Sequence, residues 1–303
     1  MMLDLRDALR GVRGLLLDLD GVIVLAGKPI PGSPEALREL DRRGLPFRIV
    51  TNTSLVSRAT LSAWSASLGA PIPPSRFHSA LSISAAYTAA RFAGQPLYVL
   101  ASRDALAEFD GQRLLSDAEA SAPDARAAAV VVGDSPESAT WDHLNRAFRL
   151  VRNGAALIGM HKNRWWLTPD GPTLDSGAFV TGLEFAADVR ATILGKPARA
   201  FFALAARDLA AEVAERDAGS RGSGEARVRV RGRGRVRRAD LAMVGDDVWS
   251  DALGARRAGL RGIVVLSGKH RSDDLARAAA QGRGGGRPDA VAASLAEVVA
   301  ALD

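Results

Sequence analysis

Three apolar runs, each cut off by a short polar turn, constrain this chain more than anything else in it. Leu15–Leu17 leads into Asp18-Leu19-Asp20-Gly21, Phe47–Val50 into Thr51-Asn52-Thr53-Ser54, and Leu241–Val244 into Gly245-Asp246-Asp247. The runs are too short for helices and continuously apolar, the pattern of strands covered on both faces. Helical stretches follow them. Ser33–Arg43 reads as a helix with Ser33 as N-cap, Pro34 at its first position and Gly44 as its stop. Leu55–Leu68, closed by Gly69, reads the same way. Strand, loop and helix in that order predict βαβ units and a parallel sheet. The carboxyl ends of such strands open onto one crevice, so residues far apart in sequence can converge there.

A second α/β series fills the middle of the chain. Leu97–Leu100, Ala128–Val132 and Ala155–Gly159 read as strands and Glu137–Val151 as a helix. The first series then resumes, with a strand at Ala191–Leu194 before Gly195-Lys196-Pro197, a helix at Ala198–Val213, and further elements at Leu253–Ala258, Gly262–Leu266 and Ser294–Leu302. The expected fold class is α/β: a Rossmann-like core of residues 1–79 and 186–303, split by an inserted α/β domain of residues 80–185.

Charge is unevenly spread. Residues 216–238 hold nine arginines against Asp217 and Glu225, a net +7, so the rest of the chain carries −1 of the +6 total. The basic character belongs to one Arg/Gly-rich segment without apolar periodicity, which reads as a disordered insertion in the core. Residues 282–287 read as a shorter flexible loop. The chain has no cysteine, which excludes disulfides, thiolate metal sites and a cysteine nucleophile. No stretch approaches the roughly 20 apolar residues of a membrane span. The first residues place acids and arginines where a secretory leader would need an apolar run, and the expected location is the cytoplasm.

The chemistry sits on the strand-end turns. Asp18, Asp20 and Asp246, with Asp247 and Asp251, would crowd one crevice. Packed carboxylates repel and take up protons unless a cation neutralises them. Oxygen-only ligands favour a hard cation such as Mg2+, which also binds substrate phosphate; the four histidines are scattered along the sequence and offer no zinc cluster. In-line attack on phosphorus needs a nucleophile, neutralisation of the equatorial oxygens and a proton for the leaving group. Asp18 can be that nucleophile and form an aspartyl-phosphate. Asp20, two residues on, can protonate the leaving oxygen and then activate water. Thr51 offers a hydroxyl to a phosphate oxygen, and Lys196 a positive charge.

Together, DLDGV, TNTS, GKP and GDDVWSD resemble, in this order, the four motifs of the haloacid-dehalogenase superfamily. The insertion between the second and third resembles the C2-type cap of subfamily IIA. GVRGLLLDLDGV, TNTSLVSR, LNRAFRLV, LDSGAFVTGLEFAA and GKPARAFF resemble the branch that contains phospholysine phosphohistidine inorganic pyrophosphate phosphatase. The resemblance spans nearly the whole chain apart from 216–238. It implies that Asp18 is nucleophile and metal ligand, that Asp20 is acid/base with its backbone carbonyl on the metal, and that Thr51, Asn52 and Lys196 hold phosphate. Asp246 would be the remaining protein ligand to Mg2+, with Asp247 and Asp251 behind the ligand sphere. The expected substrate is a small phosphorylated molecule (a phosphomonoester, pyrophosphate or phosphoramidate), with a homodimer as the expected assembly.

Blander readings stand beside these. Asp247 can simply cap the following helix. His161-Lys162-Asn163-Arg164-Trp165-Trp166 reads as an amphipathic strand with its tryptophans packed in the inserted domain's core. Two rival functions stand against this one: a phosphotransferase or phosphomutase on the same core, and an RNA- or acidic-partner-binding protein acting through the Arg-Gly tract. That tract lacks the interleaved aromatics that stack on bases, and nucleic acid is not the expected partner.

Overall fold

The structure, a computed structural model, describes residues 3–219, 235–268, 272–280 and 287–302. Its contacts divide the chain into two compact units, Met1–Val50 with Phe202–Asp303, and Thr51–Phe201.

The first unit is built on parallel strands in the order Ala290–Ala292, Arg261–Val265, Leu241–Gly245, Gly14–Leu17 and Phe47–Thr51. Leu15, Leu16 and Leu17 are consecutive and all wholly buried. Successive strand residues point to opposite faces, so both faces of this sheet are covered, as the unbroken apolar runs predict. Each such leucine contributes roughly 1.5–3 kcal/mol by leaving water. The sheet holds Leu17 level with Val244 on one side and Ile49 on the other. The turns after these strands therefore leave the sheet at matched heights.

The helix Ser33–Arg43 ends as expected, with Gly44 left-handed at φ 64°. Its start differs: Gly32 is the N-cap at φ 82°, and Ser33 is already helical. The Ser33 hydroxyl instead donates to the Val22 carbonyl, 2.7 Å away and buried, tying the helix to the loop that follows Asp20. A positive φ at the cap, open to glycine without a Cβ penalty, displaced the residue that the sequence favoured. The helix Arg199–Gly219 runs six residues past the expected Val213. It takes in the start of the Arg/Gly-rich segment, held there in part by Arg216 donating to the Gly44 carbonyl. Residues 220–234 of that segment, and 282–286 of the expected 282–287 loop, lie outside the described residues.

The second unit carries a four-stranded parallel sheet in the order Thr192–Ile193, Ala156–Gly159, Ala129–Val132 and Leu97–Leu100. Helices Trp141–Arg152 and Gly177–Ala187 supply Ala147, Leu150, Val180 and Leu183 to its core, against Val130 and Leu157 of the strands. Trp141–Arg152 begins at the Thr140 cap, whose hydroxyl accepts from the His143 amide. Helix Arg58–Ser67 begins at Ser57 rather than Leu55. Trp165 and Trp166 are not packed in the core: they are 46% and 39% exposed. They sit on an antiparallel ribbon, Trp165–Thr168 with Gly171–Leu174, that forms a sheet of two strands only. A two-stranded ribbon has no third strand to cover such side chains. Among the described residues no helix is long and apolar enough to cross a membrane.

Candidate active site

In the first unit, Asp18 stands one residue past the strand Gly14–Leu17. Its amide donates to the Val244 carbonyl at 2.9 Å, extending the ladder by one step. Asp246 likewise follows Leu241–Gly245. The third carboxylate comes from a π-helical turn, Val248–Ala252. The Ala252 amide reaches back five residues to the Asp247 carbonyl at 3.3 Å. Single π turns often mark functional positions, and this one holds Asp251. Oxygens of Asp18, Asp246 and Asp251 lie within 4.8 Å of one another, and all three side chains are buried.

The backbone around this triad is shaped by glycines. Gly21 has φ 80°, and a methyl group there would overlap the Asp246 carboxylate. One at Gly268 would overlap it from another side, and one at Gly245 would overlap Asp251. Three buried carboxylates confined by backbone and offering only oxygen suit a hard divalent cation and leave soft metals without a preferred ligand. The residues present therefore fit a metal such as Mg2+.

The other acids read from the sequence are placed differently. Asp247 Oδ1 accepts from the Trp249 and Ser250 amides at 2.9 Å each, which makes it a helix cap. Its own amide donates to Asp251 Oδ2 at 3.0 Å, so it also steadies the triad. Asp20 is exposed and is not one of the gathered carboxylates. It lies on a tight loop closed by the Gly21 amide on the Val24 carbonyl, 2.6 Å, and by the Ile23 and Val24 amides on Leu19.

Thr51, Asn52 and Lys196 belong to the second unit, and all three are buried. Thr51 Oγ1 accepts from the Thr53 amide at 3.0 Å. Asn52 clasps the lysine backbone: its Oδ1 accepts from the Lys196 amide at 2.7 Å, and its Nδ2 donates to the Lys196 carbonyl at 3.1 Å. Nδ2 also donates to Asn163 Oδ1, 3.1 Å away. Gly195 permits this approach, since a Cβ there would stand 2.6 Å from Asn52 Oδ1. Asn52 thus fixes the lysine loop through its amide.

One group was not singled out from the sequence. Asp134 and His161 follow the strands Ala129–Val132 and Ala156–Gly159, and with Asp175 their polar atoms gather within 4.8 Å. The histidines are scattered in sequence, yet this one joins two acids. His161 Nε2 lies 2.8 Å from Asp134 Oδ2 and 3.6 Å from Asp175 Oδ1. Burial, then the bond and charge of Asp134, push the Asp175 carboxyl up to about 7. Burial is the largest influence on Asp134 and opposes its ionisation, but the bond and charge of His161 together with bonds from Asp175 and Ser54 outweigh it and hold the carboxyl below the usual carboxylate range. Burial pulls the His161 imidazole down, yet the two aspartates outweigh it and leave it above its ordinary value. The signal that would have found Asp134 is the one that marked Asp18 and Asp246: an acid just past a buried apolar strand.

Comparison with known proteins agrees with this construction. The family model for haloacid dehalogenase-like hydrolases matches residues 15–114, and a second HAD-hydrolase-like model matches 193–298. The chain is 33% identical to human haloacid dehalogenase-like hydrolase domain-containing protein 2, over 88% of this chain and 89% of that one. It is 30% identical to phospholysine phosphohistidine inorganic pyrophosphate phosphatase of Xenopus laevis, over 87% of each. In fold it is similar to 4-nitrophenylphosphatase of Thermotoga maritima, with TM-score 0.76 at 23% identity over 98% of this chain and 99% of that one. Strand-end aspartates on a parallel sheet, the order of the four motifs and this identity along nearly the full length lead to one assignment: the chain belongs to the haloacid dehalogenase-like hydrolase family.

Proposed function

We propose that this protein is a Mg2+-dependent phosphatase that hydrolyses a small phosphorylated molecule through a covalent intermediate on Asp18. The observation that carries the reading is the buried triad of Asp18, Asp246 and Asp251 in a chain of this family. Its relatives include a phosphatase named for phospholysine, phosphohistidine and pyrophosphate, so the substrate classes proposed are phosphomonoesters, pyrophosphate and phosphoramidates.

In this reading the Asp18 carboxylate attacks phosphorus and the bond from phosphorus to the leaving group breaks. Asp20 gives the departing oxygen or nitrogen its proton. Asp20 then takes a proton from water, whose oxygen attacks the same phosphorus and breaks its bond to Asp18, releasing phosphate. Thr51, Asn52 and Lys196 hold the phosphoryl group, Asn52 chiefly by fixing the Lys196 backbone. Mg2+, held by Asp18, Asp246 and the Asp20 carbonyl with Asp247 and Asp251 behind them, would neutralise charge on the phosphoryl oxygens. Residues 80–185 act as the cap over a core of 1–79 and 186–303, and the enzyme works as a homodimer.

The test is phosphate release from p-nitrophenyl phosphate, pyrophosphate, sugar phosphates, nucleotides and phosphohistidine, with and without Mg2+. Release that needs the metal and disappears in Asp18→Asn supports the reading. A folded, Mg2+-binding protein that releases phosphate from none of them sinks it, and transfer of the phosphoryl group to an added acceptor in place of water would replace it with a phosphotransferase.

A further inference from the structure

We propose that Asp134, locked by His161, is a positioning residue that clamps the loop Thr51–Ser54 and so sets how tightly the phosphoryl group of the substrate is held. This deepens the phosphatase reading and rests on it.

The clamp is reciprocal. Ser54 Oγ accepts from the Asp134 amide at 2.7 Å and donates to Asp134 Oδ2 at 3.0 Å. A hydroxyl bonded both ways to one residue cannot rotate, and Ser54 is wholly buried. Asp134 is itself fixed from two directions: His161 Nε2 approaches Oδ2 at 2.8 Å, and the Ser176 amide donates to Oδ1 at 2.9 Å. Two residues beyond His161, Asn163 receives the Asn52 amide. The segment His161–Asn163 thus touches both ends of the stretch Asn52–Ser54, at Asn52 through Asn163 and at Ser54 both through Asp134 and by His161 Nε2 lying 3.3 Å from Ser54 Oγ. Asn52 in turn holds Lys196. The residues proposed to grip phosphate hang on this one network.

The imidazole's other nitrogen favours a clamp over a cation site. His161 Nδ1 lies 3.4 Å from the Asn163 amide, which donates to it. That leaves the proton of the neutral ring on Nε2, facing the carboxylates. Ligation of a metal through Nε2 would instead put the proton on Nδ1, against the Asn163 N–H.

The network also carries a titratable element. The charged groups acting on Asp175 are Asp134 and His161, and Lys196 acts in turn on His161. The Ser176 amide serves both carboxylates, at 2.9 Å to Asp134 and 2.8 Å to Asp175. While Asp175 is protonated it donates to Asp134. Once it ionises, two carboxylates compete for one amide and one imidazole, and the hold on Ser54 weakens. Burial and Asp134 push the Asp175 carboxyl up to about 7, so the grip is firm below neutrality and loosens above it.

The test is steady-state hydrolysis of p-nitrophenyl phosphate with Mg2+ from pH 6 to 8.5, for wild type, Ser54→Ala, Asp134→Ala, the double variant and Asp175→Asn, each first checked for a cooperative melt. Ser54→Ala and Asp134→Ala are each expected to raise KM about ten-fold, the loss of a hydrogen bond to a charged group, with kcat changed much less. The double variant should be no worse than the worse single, because one interaction is lost in each. Wild-type KM should rise above pH 7, and Asp175→Asn should remove that rise. Independent, multiplying effects of the two singles, or a loss in kcat alone, would overturn the clamp. Should Asp134→Ala fail to fold, Ser54→Ala and the Asp175→Asn pH profile decide: unchanged KM in the first and a retained rise in the second overturn the proposal. An active wild type with unmoved KM in these variants sinks this inference alone, whereas a wild type no more active than Asp18→Asn sinks the phosphatase reading and the clamp with it.

Discussion

Each unit of the molecule gathers three titratable side chains, two of them just beyond buried parallel strands and the third (Asp251 or Asp175) from elsewhere, and the two groups solve the same electrostatic problem differently. Asp18, Asp246 and Asp251 present oxygen alone, with glycine backbone so close that no Cβ fits at Gly21 or Gly268. Nothing within that set can neutralise three carboxylates, so it suits a divalent cation. Asp134 and Asp175 have His161 Nε2 beside them, and a proton on Asp175 leaves a single carboxylate charge for that nitrogen and the Ser176 amide to hold. The comparison teaches that a cluster of acids is a metal site or a proton-held brace according to whether its neutraliser is built into the chain.

The largest effect should come from the nucleophile. Asp18→Asn is expected to cut kcat on the order of a thousand-fold or more, whereas Asp134→Ala should act mainly on KM. A comparable kcat loss in both would erase the distinction between the groups. Next comes the metal. Asp246→Asn and Asp251→Asn should weaken Mg2+ binding by about ten- to a hundred-fold, read by calorimetric titration, and Asp175→Asn should leave it unchanged. Mg2+ at a hundred times its Kd should stabilise the wild type by about 2.7 kcal/mol, and chelation should reverse this. Mg2+ affinity lost in Asp175→Asn would break the comparison.

A smaller effect is expected from pH. Asp175 has a folded pKa above its unfolded one, so its contribution favours folding at low pH and is lost as pH rises between about 4 and 7. The raised His161 acts in the same direction, its contribution being lost as pH rises through its folded pKa. Asp134, held low, opposes both only in acid, where its contribution is lost as pH falls. Urea unfolding at pH 5.5 and 8 should therefore show Asp175→Asn gaining on wild type at the higher pH, by at most about 1.4 kcal/mol per pH unit crossed. A constant difference would show that Asp175 titrates normally. The remaining effects are on stability, at the turn beside the triad and at the helix start that is tied to it. Gly21→Ala should cost about 1–2 kcal/mol from its left-handed conformation alone, in addition to displacing Asp246. Ser33→Ala should cost about 1 kcal/mol for its bond to Val22.

Much of this molecule was legible in its sequence because the deciding signals are local. Unbroken leucine and valine runs can only be strands covered on both faces, and the acid that ends such a run is delivered to the sheet's edge. That argument gave Asp18 and Asp246 their places, and it would have given Asp134 its place had it been applied to Ala129–Val132. The gathering of Asp251 was not legible, since it depends on a π turn whose fifth-residue bond leaves no mark in composition. Ser33 read as a cap because serine usually is one, and lost that role to Gly32 through a buried bond to a residue eleven positions away. The tryptophans read as core because large aromatics usually are buried, but whether a ribbon gains a third strand is decided by distant chain.

By itself, then, the sequence determined the strands, the acids at their ends and the family, since apolar continuity and motif order are properties of neighbouring residues. Only the tertiary structure decided that Asn52 grips the Lys196 backbone and that His161 sits between two aspartates. Those partners lie up to 144 residues apart, and a hydrogen bond is specified by where folding brings two atoms, which no local pattern records.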